Sequence, residues 1–286
     1  MSKSLSPLRY PGGKSQLSEK ISEILDGNNI KNSIYMEPFA GGFGVGLYLL
    51  FNNKVQKVIL NEYDIAIYSI WFAMLYECEY FIKDIENIEV SVEEYKKQKE
   101  IYNKLKNNKN YSYKLAFAAF FLNRTNISGI LNAGPIGGYE QNSKYKIDCR
   151  FGKENLIKKI KEINKYKDRI EIYNLNYKDF LKNIVLDRYK KEDIFIFLDP
   201  PYYKQGKNLY NKFFNEEAHE ELKENVLKLK EYNWIITYDN AEEIREIYKN
   251  FNIIAFSMKY SANKVRKETE LLIYNNKLNI KKDLFI

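Results

Sequence analysis

The chain has 286 residues, a length that suits one large α/β domain or a core domain carrying a smaller insert. Lysine and arginine number 46 against 38 acidic residues, giving +8, which favours a polyanionic partner; the same Lys-, Asn-, Ile- and Tyr-heavy composition is also what A/T-rich coding produces. Two distant cysteines (Cys78, Cys149) and one histidine (His219) leave no basis for a disulfide framework, a metal centre or a Ser-His-Asp triad, and no run approaches the roughly 20 apolar residues that span a bilayer. A soluble, cytoplasmic protein is expected.

In chain order, the loop Leu8-Arg9-Tyr10-Pro11-Gly12-Gly13-Lys14 leads into a helix whose buried face is spaced as Leu17, Ile21, Ile24 and Leu25 and which stops at Asp26-Gly27-Asn28-Asn29. A short apolar strand (Ser33 to Met36), a Gly-rich turn, a helical run through Leu47 to Phe51 and a second strand (Val55 to Leu60) open a doubly wound fold. From Ile65 to Leu122 the pattern is helical, with a solvated Lys/Asn-rich loop at Lys104 to Asn110. The βα rhythm returns with strands at Ile170 to Tyr173, Asp193 to Leu198 and Trp234 to Tyr238, alternating with helices at Lys178 to Leu186, Glu216 to Tyr232 and Glu242 to Asn250. Ile253 to Met258 and Glu270 to Asn275 read as a closing pair of strands. The simplest architecture is one α/β sheet interrupted by a mostly helical insert at about 72–155.

Asp199-Pro200-Pro201-Tyr202 follows the strand that ends at Leu198, at the carboxyl end where open α/β sheets bind ligands. The two prolines fix φ and remove two donors, so the Asp199 carboxylate and the Pro200 carbonyl can both face a ligand as acceptors beside the flat Tyr202 ring. Two acceptors next to an aromatic platform suit the exocyclic amino group of a planar base; a turn with tyrosine as a lid over the core is the alternative. Glu37-Pro38-Phe39-Ala40-Gly41-Gly42-Phe43-Gly44, at the first strand-to-helix turn, has the wrong glycine spacing for a dinucleotide fingerprint. Its acid is awkward beside a pyrophosphate and natural beside the ammonium and sulfonium of S-adenosylmethionine. Glu62, with Asp64 nearby, sits where a carboxylate accepts from ribose hydroxyls. A Gly-rich packing turn flanked by surface acids is the alternative there.

The ordered set RYPGGK at 9–14, EPFAGGFG at 37–44, a long insert and FLDPPY at 197–202 resembles the alpha group of amino-methylating DNA methyltransferases, the class of the Dam-type adenine-N6 methylases. Leu122-Asn123-Arg124-Thr125-Asn126, Ser128 to Leu131, Tyr145 to Asp148 and Ser261 to Leu272 add to the likeness, which spans almost the whole chain. The resemblance implies a Rossmann-like class I methyltransferase sheet, mostly parallel with an antiparallel final strand. Residues 1–71 and 156–286 would form the S-adenosylmethionine-binding catalytic domain, and 72–155 an inserted, mainly helical target-recognition domain. It implies Tyr10, Lys14, Glu37, Ala40, Gly42, Glu62, Asn176, Tyr177 and Asp199 for the cofactor and Asp199, Pro200 and Tyr202 for the target base. Many relatives carry Asp where this chain has Glu62, so Glu62 and Asp64 both stay candidates for the ribose.

The expected reaction is site-specific transfer of methyl from S-adenosylmethionine to N6 of an adenine flipped out of double-stranded DNA, without a metal. A separately acting restriction endonuclease is a candidate partner. Cytosine-N4 methylation, a glutamine or RNA methylase and a DNA-binding module with a decayed cofactor pocket are the rivals. Arg124, Asn126 and Ser128 offer the donor types that read bases, or else cap a helix end. Gly134 to Gly138 is either a loop that orders on DNA or a plain surface loop. Lys259, Lys264, Arg266 and Lys267 either hold phosphates or are only solvated.

Overall fold

The computed structural model describes residues 4–204, 214–260 and 266–285. Its centre is a seven-stranded sheet in the order β3-β2-β1-β4-β5-β7-β6. The strands are β1 (Ile34–Glu37), β2 (Lys57–Asn61), β3 (Ile170–Tyr173), β4 (Ile194–Leu198), β5 (Asn233–Asp239), β6 (Asn252–Tyr260) and β7 (Arg266–Tyr274). All neighbours pair in parallel except β7, which runs antiparallel to both β5 and β6. The expected mostly parallel sheet with an antiparallel final strand is therefore present. The chain leaves β1 toward β2 and β3 and later returns to β1's other side with β4, so the topological switch point lies between β1 and β4.

Period-2 alternation divides the core into two. Tyr35, Val58, Leu60, Phe195 and Phe197 face helices α1 (Ser18–Gly27), α2 (Gly44–Phe51) and α3 (Ile65–Tyr76). Met36, Ile59, Ile196, Leu198 and Trp234 face the short helix α8 (Tyr177–Phe180), α9 (Glu216–Leu227) and α10 (Glu242–Ile247). The stretch after β2 forms α3, α4 (Cys78–Asn87), α5 (Val92–Leu105), α6 (Tyr113–Thr125) and, beyond a long loop, α7 (Lys153–Lys165). These helices share one continuous hydrophobic core with α1, α2 and the first sheet face. Helix α3 is apolar nearly all round because it is buried on almost every side, with Ile70, Trp71, Ala73 and Met74 fully enclosed. It runs through position 72, and α7 runs through position 155, so both edges of the expected insert fall inside helices.

Several element ends differ from the sequence reading. The helix expected at Lys178 to Leu186 is one α-turn followed by a π-helical turn at Leu181–Leu186. The helix expected to reach Tyr232 ends at Leu227, where the Leu229 N–H turns back to the Val226 carbonyl, and the one expected to reach Asn250 ends at Ile247. The closing hairpin is longer than its apolar stretch, pairing Asn252 with Tyr274 through to Tyr260 with Arg266. Backbone pairing there continues past the residues that mark a strand by hydrophobicity.

Candidate active site

Tyr35 and Glu37, two apart on β1, point to the same sheet face. The Tyr35 hydroxyl donates to Glu37 Oε1 at 2.8 Å, and the Gly46 N–H at the start of α2 donates to the same oxygen at 3.2 Å. The carboxyl group is buried, and that burial outweighs both donors and pushes its pKa up to about 8, with the nearby charge of Asp199 adding to the shift. Beyond Glu37 the loop turns at Gly41, whose φ of +48° an L side chain rarely adopts; a Cβ there would also lie 2.7 Å from the Tyr10 ring. The space over Gly41 and Gly42 is filled by Tyr10. The Trp71 indole of α3 donates to the Gly41 carbonyl at 3.1 Å and fixes the loop from below.

At the end of β2, Glu62 accepts from the Gly41 N–H (2.9 Å) and from the Asp64 N–H (2.9 Å). Burial, with Asp64 as a second cause, raises its pKa to about 7. Asp64 caps α3, accepting from the Ala66 N–H at 2.8 Å. Asn61, fully buried, donates to the carbonyls of Pro38 and Leu175 and accepts from the Leu175 N–H, so it ties the first loop to the segment before α8. In that segment Asn176 caps α8, and the Tyr177 ring lies 5.3 Å from that of Phe39.

Asp199 follows β4, beside Glu37 across the switch point. Its Oδ1 accepts from the Thr237 hydroxyl of β5 at 2.6 Å and stands 3.1 Å from the Lys14 ammonium. Burial raises the Asp199 pKa, and Lys14 and Thr237 oppose it. The Lys14 side chain is only 3% exposed; its ammonium also donates to the Gly12 carbonyl at 2.6 Å and lies 4.7 Å over the Tyr202 ring. Gly12 (φ +81°) turns the chain back on itself, with the Gly13 N–H donating to the Tyr10 carbonyl at 3.2 Å. That turn delivers Tyr10 to the glycine loop and Lys14 to Asp199. Asp239, at the end of β5, accepts from the N–H groups of Tyr203 (2.9 Å) and Lys204 (2.8 Å) and so anchors the chain just after Tyr202. Glu270 of β7, paired in register with Asp239, is 1% exposed; its pKa is raised to about 7 by burial and eased down by Lys14 and by the Tyr202 hydroxyl.

The corner after α6 is turned inward. Asn123 closes both sides of Arg9: it accepts from the Arg9 N–H at 2.8 Å and donates to the Arg9 carbonyl at 2.8 Å and to that of Gly129 at 2.9 Å. The Arg124 guanidinium donates to the carbonyls of Arg150 and Pro7, and burial beside Arg9 and Arg150 pulls its pKa down to about 10. Asn126 is fully buried and donates to the carbonyls of Ile130 and Leu131. In this structure the side-chain donors of Arg124 and Asn126 go to backbone carbonyls outside α6, neither to the helix's own last carbonyls nor outward, and helix α6 runs to Thr125 rather than Leu122. Ser128 sits in the bend at φ +56°. The Gly134 to Gly138 loop folds back on α6, with the Ile127 N–H donating to Gly134 and the Ile136 N–H to Thr125. Lys264 lies outside the described residues, and Lys259, Arg266 and Lys267 are described only as backbone of β6 and β7.

Residues 10–262 match the family of D12 class N6 adenine-specific DNA methyltransferases. The chain belongs to that family. It is an adenine-specific DNA methyltransferase, and its fold is the Rossmann-like methyltransferase sheet. Type II methyltransferase M.MjaIII of Methanocaldococcus jannaschii is 27% identical over 268 residues, 86% of this chain and 88% of that protein. Among solved structures, PH1948 of Pyrococcus horikoshii is similar with a TM-score of 0.43 at 10% identity, covering 94% of this chain and 87% of that one. The rRNA methyltransferase aviRa of Streptomyces viridochromogenes gives a TM-score of 0.40 at 9% identity, again 94% and 87%.

The methyltransferase thus brings Tyr10, Lys14, Glu37, Ala40, Gly42, Glu62, Asn176, Tyr177, Asp199, Pro200 and Tyr202 to the carboxyl ends of β1, β2 and β4 and the loops that follow β3 and precede α1. Asn61, Trp71, Thr237, Asp239 and Glu270 were missed by sequence reasoning. Asp239 alone carried a readable signal: it ends a parallel strand next to β4, where the strand-end rule that selected Asp199 applies equally.

Proposed function

We propose that this DNA methyltransferase is of the alpha, Dam-like group and transfers methyl from S-adenosylmethionine to N6 of a specific adenine flipped out of duplex DNA. The observation that carries the reading is the meeting of two buried acids, Glu37 and Asp199, across the β1/β4 switch point, with the Tyr202 ring beside the second. S-adenosylmethionine, when bound, supplies an activated methyl on a cationic sulfur. The chain's donor set fits it: Glu37 is a buried acid held above its ordinary pKa, which an ammonium would relieve. Glu62 is assigned to the ribose because Asp64 is committed to the cap of α3. Tyr10 and Tyr177 would cover the pocket from the first loop and from α8.

Asp199 and the Pro200 carbonyl would accept the two N6 hydrogens, favour a tetrahedral nitrogen and stabilise the positive charge that grows on it as methyl arrives. Thr237 holds the carboxylate in place, and before the base enters Lys14 pairs with it. The adenine N6 lone pair is delocalised and weakly nucleophilic, so rate must come from orientation and fixed charge. Tyr202 offers the flipped base a stacking face, a contact worth roughly 1–3 kcal/mol. Residues 1–71 and 156–286 would carry this chemistry and 72–155 the recognition of sequence. With Arg124 and Asn126 turned inward, the outward side chains of that segment include Ile127, Tyr139 and Tyr145, with Lys144 over the Tyr145 ring. We assign DNA contact to this aromatic and basic surface and, more coarsely, to Ser128, Lys264 and Arg266. The Type II methyltransferase relative supports a role in restriction-modification beside a separate endonuclease.

The cofactor assignment is tested through Glu37. Its pKa rises on folding from 4.5 to about 8, so its contribution to stability is fully present below pH 4.5 and is lost as the pH rises through 8. Thermal melts of the free protein should therefore lose more stability between pH 5 and pH 9 in the wild type than in Glu37→Gln. Binding of the cationic cofactor should ionise Glu37 and release a proton near pH 7, read as a buffer-dependent heat in titration calorimetry. Equal proton release by Glu37→Gln would remove Glu37 from the cofactor site.

A further inference from the structure

We propose that Lys14 is the resident cation of the target-base pocket, standing on Asp199 and over Tyr202 until the amino group of the incoming adenine displaces it. The inference rests on the assignment of Asp199 and Tyr202 to the target base and moves Lys14 from the cofactor pocket to that site. Three contacts carry it. The ammonium is 3.1 Å from Asp199 Oδ1, 2.6 Å from the Gly12 carbonyl and 4.7 Å from the centre of the Tyr202 ring. It thus offers N–H donors to the same carboxylate and occupies the same aromatic face that an adenine amino group and ring require.

The surroundings explain why a cation rests there. Glu37 and Tyr35 from β1, Tyr202 after β4, Thr237 from β5 and Glu270 from β7 lie around the Lys14–Asp199 pair, with Asp239 beyond Tyr202 and Glu270, so among the described residues Lys14 is the cation facing several acids in a buried site. An unpaired carboxylate there would take up a proton and lose its value as an acceptor for N6. Lys14 keeps Asp199 ionised while the pocket is without a base. Exchange of one N–H donor for another then leaves the carboxylate satisfied throughout, so only a base bearing an amino group in reach of Asp199 can replace the lysine without leaving a buried charge unpaired. Lys14 also sits one turn of chain from Tyr10, so its departure loosens the loop that covers Gly41 and Gly42.

The test uses the full chain, S-adenosylmethionine and plasmid DNA from a methylation-free host, with Lys14→Met and Lys14→Gln. The glutamine variant keeps a donor for the Gly12 carbonyl and guards against collapse of the loop. At pH 9 both variants should show a KM for DNA lowered on the order of tenfold, the size of one charge-assisted hydrogen bond no longer to be broken, with KM for S-adenosylmethionine unchanged. Their activity should also fall away at higher pH than that of the wild type as the medium is acidified, because Asp199 has lost its counter-ion. A raised KM for S-adenosylmethionine with an unchanged KM for DNA would return Lys14 to the cofactor site and overturn the proposal, as would two unchanged KM values. Full activity of Asp199→Asn would instead overturn the pocket assignment itself, whatever the Lys14 variants do.

Discussion

Replacing Asp199 with asparagine is expected to lower the single-turnover rate of adenine methylation by roughly 10²–10³-fold, the usual cost of removing one fixed electrostatic group from a reacting centre, while DNA binding stays measurable. The amide retains an oxygen for the Thr237 hydroxyl and the Lys14 ammonium, so both contacts that position the side chain survive. What is lost is the negative charge facing N6. Without it nothing compensates the positive charge that grows on nitrogen, and one of the two acceptors loses most of its strength. Alanine in place of Asp199 removes the positioning contacts too and should abolish transfer. Rates are read by rapid quench with tritiated methyl donor, and DNA retention by filter binding. A variant that keeps wild-type rates would remove Asp199 from the chemistry.

Asn123→Ala should produce the largest loss of stability among single polar substitutions outside the pocket. The side chain is 1% exposed and satisfies three backbone groups: the N–H and carbonyl of Arg9 and the carbonyl of Gly129. Each buried group left without a partner costs about 1–3 kcal/mol. With water reaching some of them, a net loss of about 3 kcal/mol and a fall in melting temperature of roughly 6–12 °C are expected for a chain of this size. The effect should reach the active site, because Arg9 begins the segment that carries Tyr10 and Lys14; KM for S-adenosylmethionine and for DNA should both rise. Gly129 allows the same close approach from the other side, since a Cβ there would lie 2.4 Å from the Arg9 carbonyl oxygen at a φ of +78°. A melting temperature unchanged within error would show that Asn123 does not hold the loop.

Those two residues mark where sequence is informative. Asp199 was legible because its signal is local: an apolar strand, Ile194 to Leu198, ends in an acid followed by two prolines and a tyrosine. The paired acids Glu37 and Glu62 were legible for the same reason, each closing a strand at a turn. Thr237 and Glu270 carry no local mark, and only the sheet order brings them behind Asp199 and Tyr202: Thr237 reaches Asp199 from β5, and Glu270 lies in register with Asp239 on the neighbouring β7. Arg124 and Asn126 have the residue types of base readers, but which way a donor points is a fact of the fold: distant carbonyls of Pro7 and Arg150 take the Arg124 donors, and carbonyls of the following turn, Ile130 and Leu131, take that of Asn126. Helix α3 lacked a polar face to mark its edges because it lies buried beneath the glycine loop, which it holds through Trp71. The choice between Glu62 and Asp64 turned on a cap that is local after all: an acid two residues before an N–H of the first helical turn.

The central claim, methylation of adenine N6 at a specific DNA sequence, is tested most directly by the product. The gene is expressed in a methylation-free host, the DNA is digested to nucleosides, and modified positions are mapped by long-read sequencing. The expected result is N6-methyladenine confined to one short recurring sequence and absent from cells carrying Asp199→Ala. N4-methylcytosine in its place, or N6-methyladenine that persists with Asp199→Ala, would contradict the account.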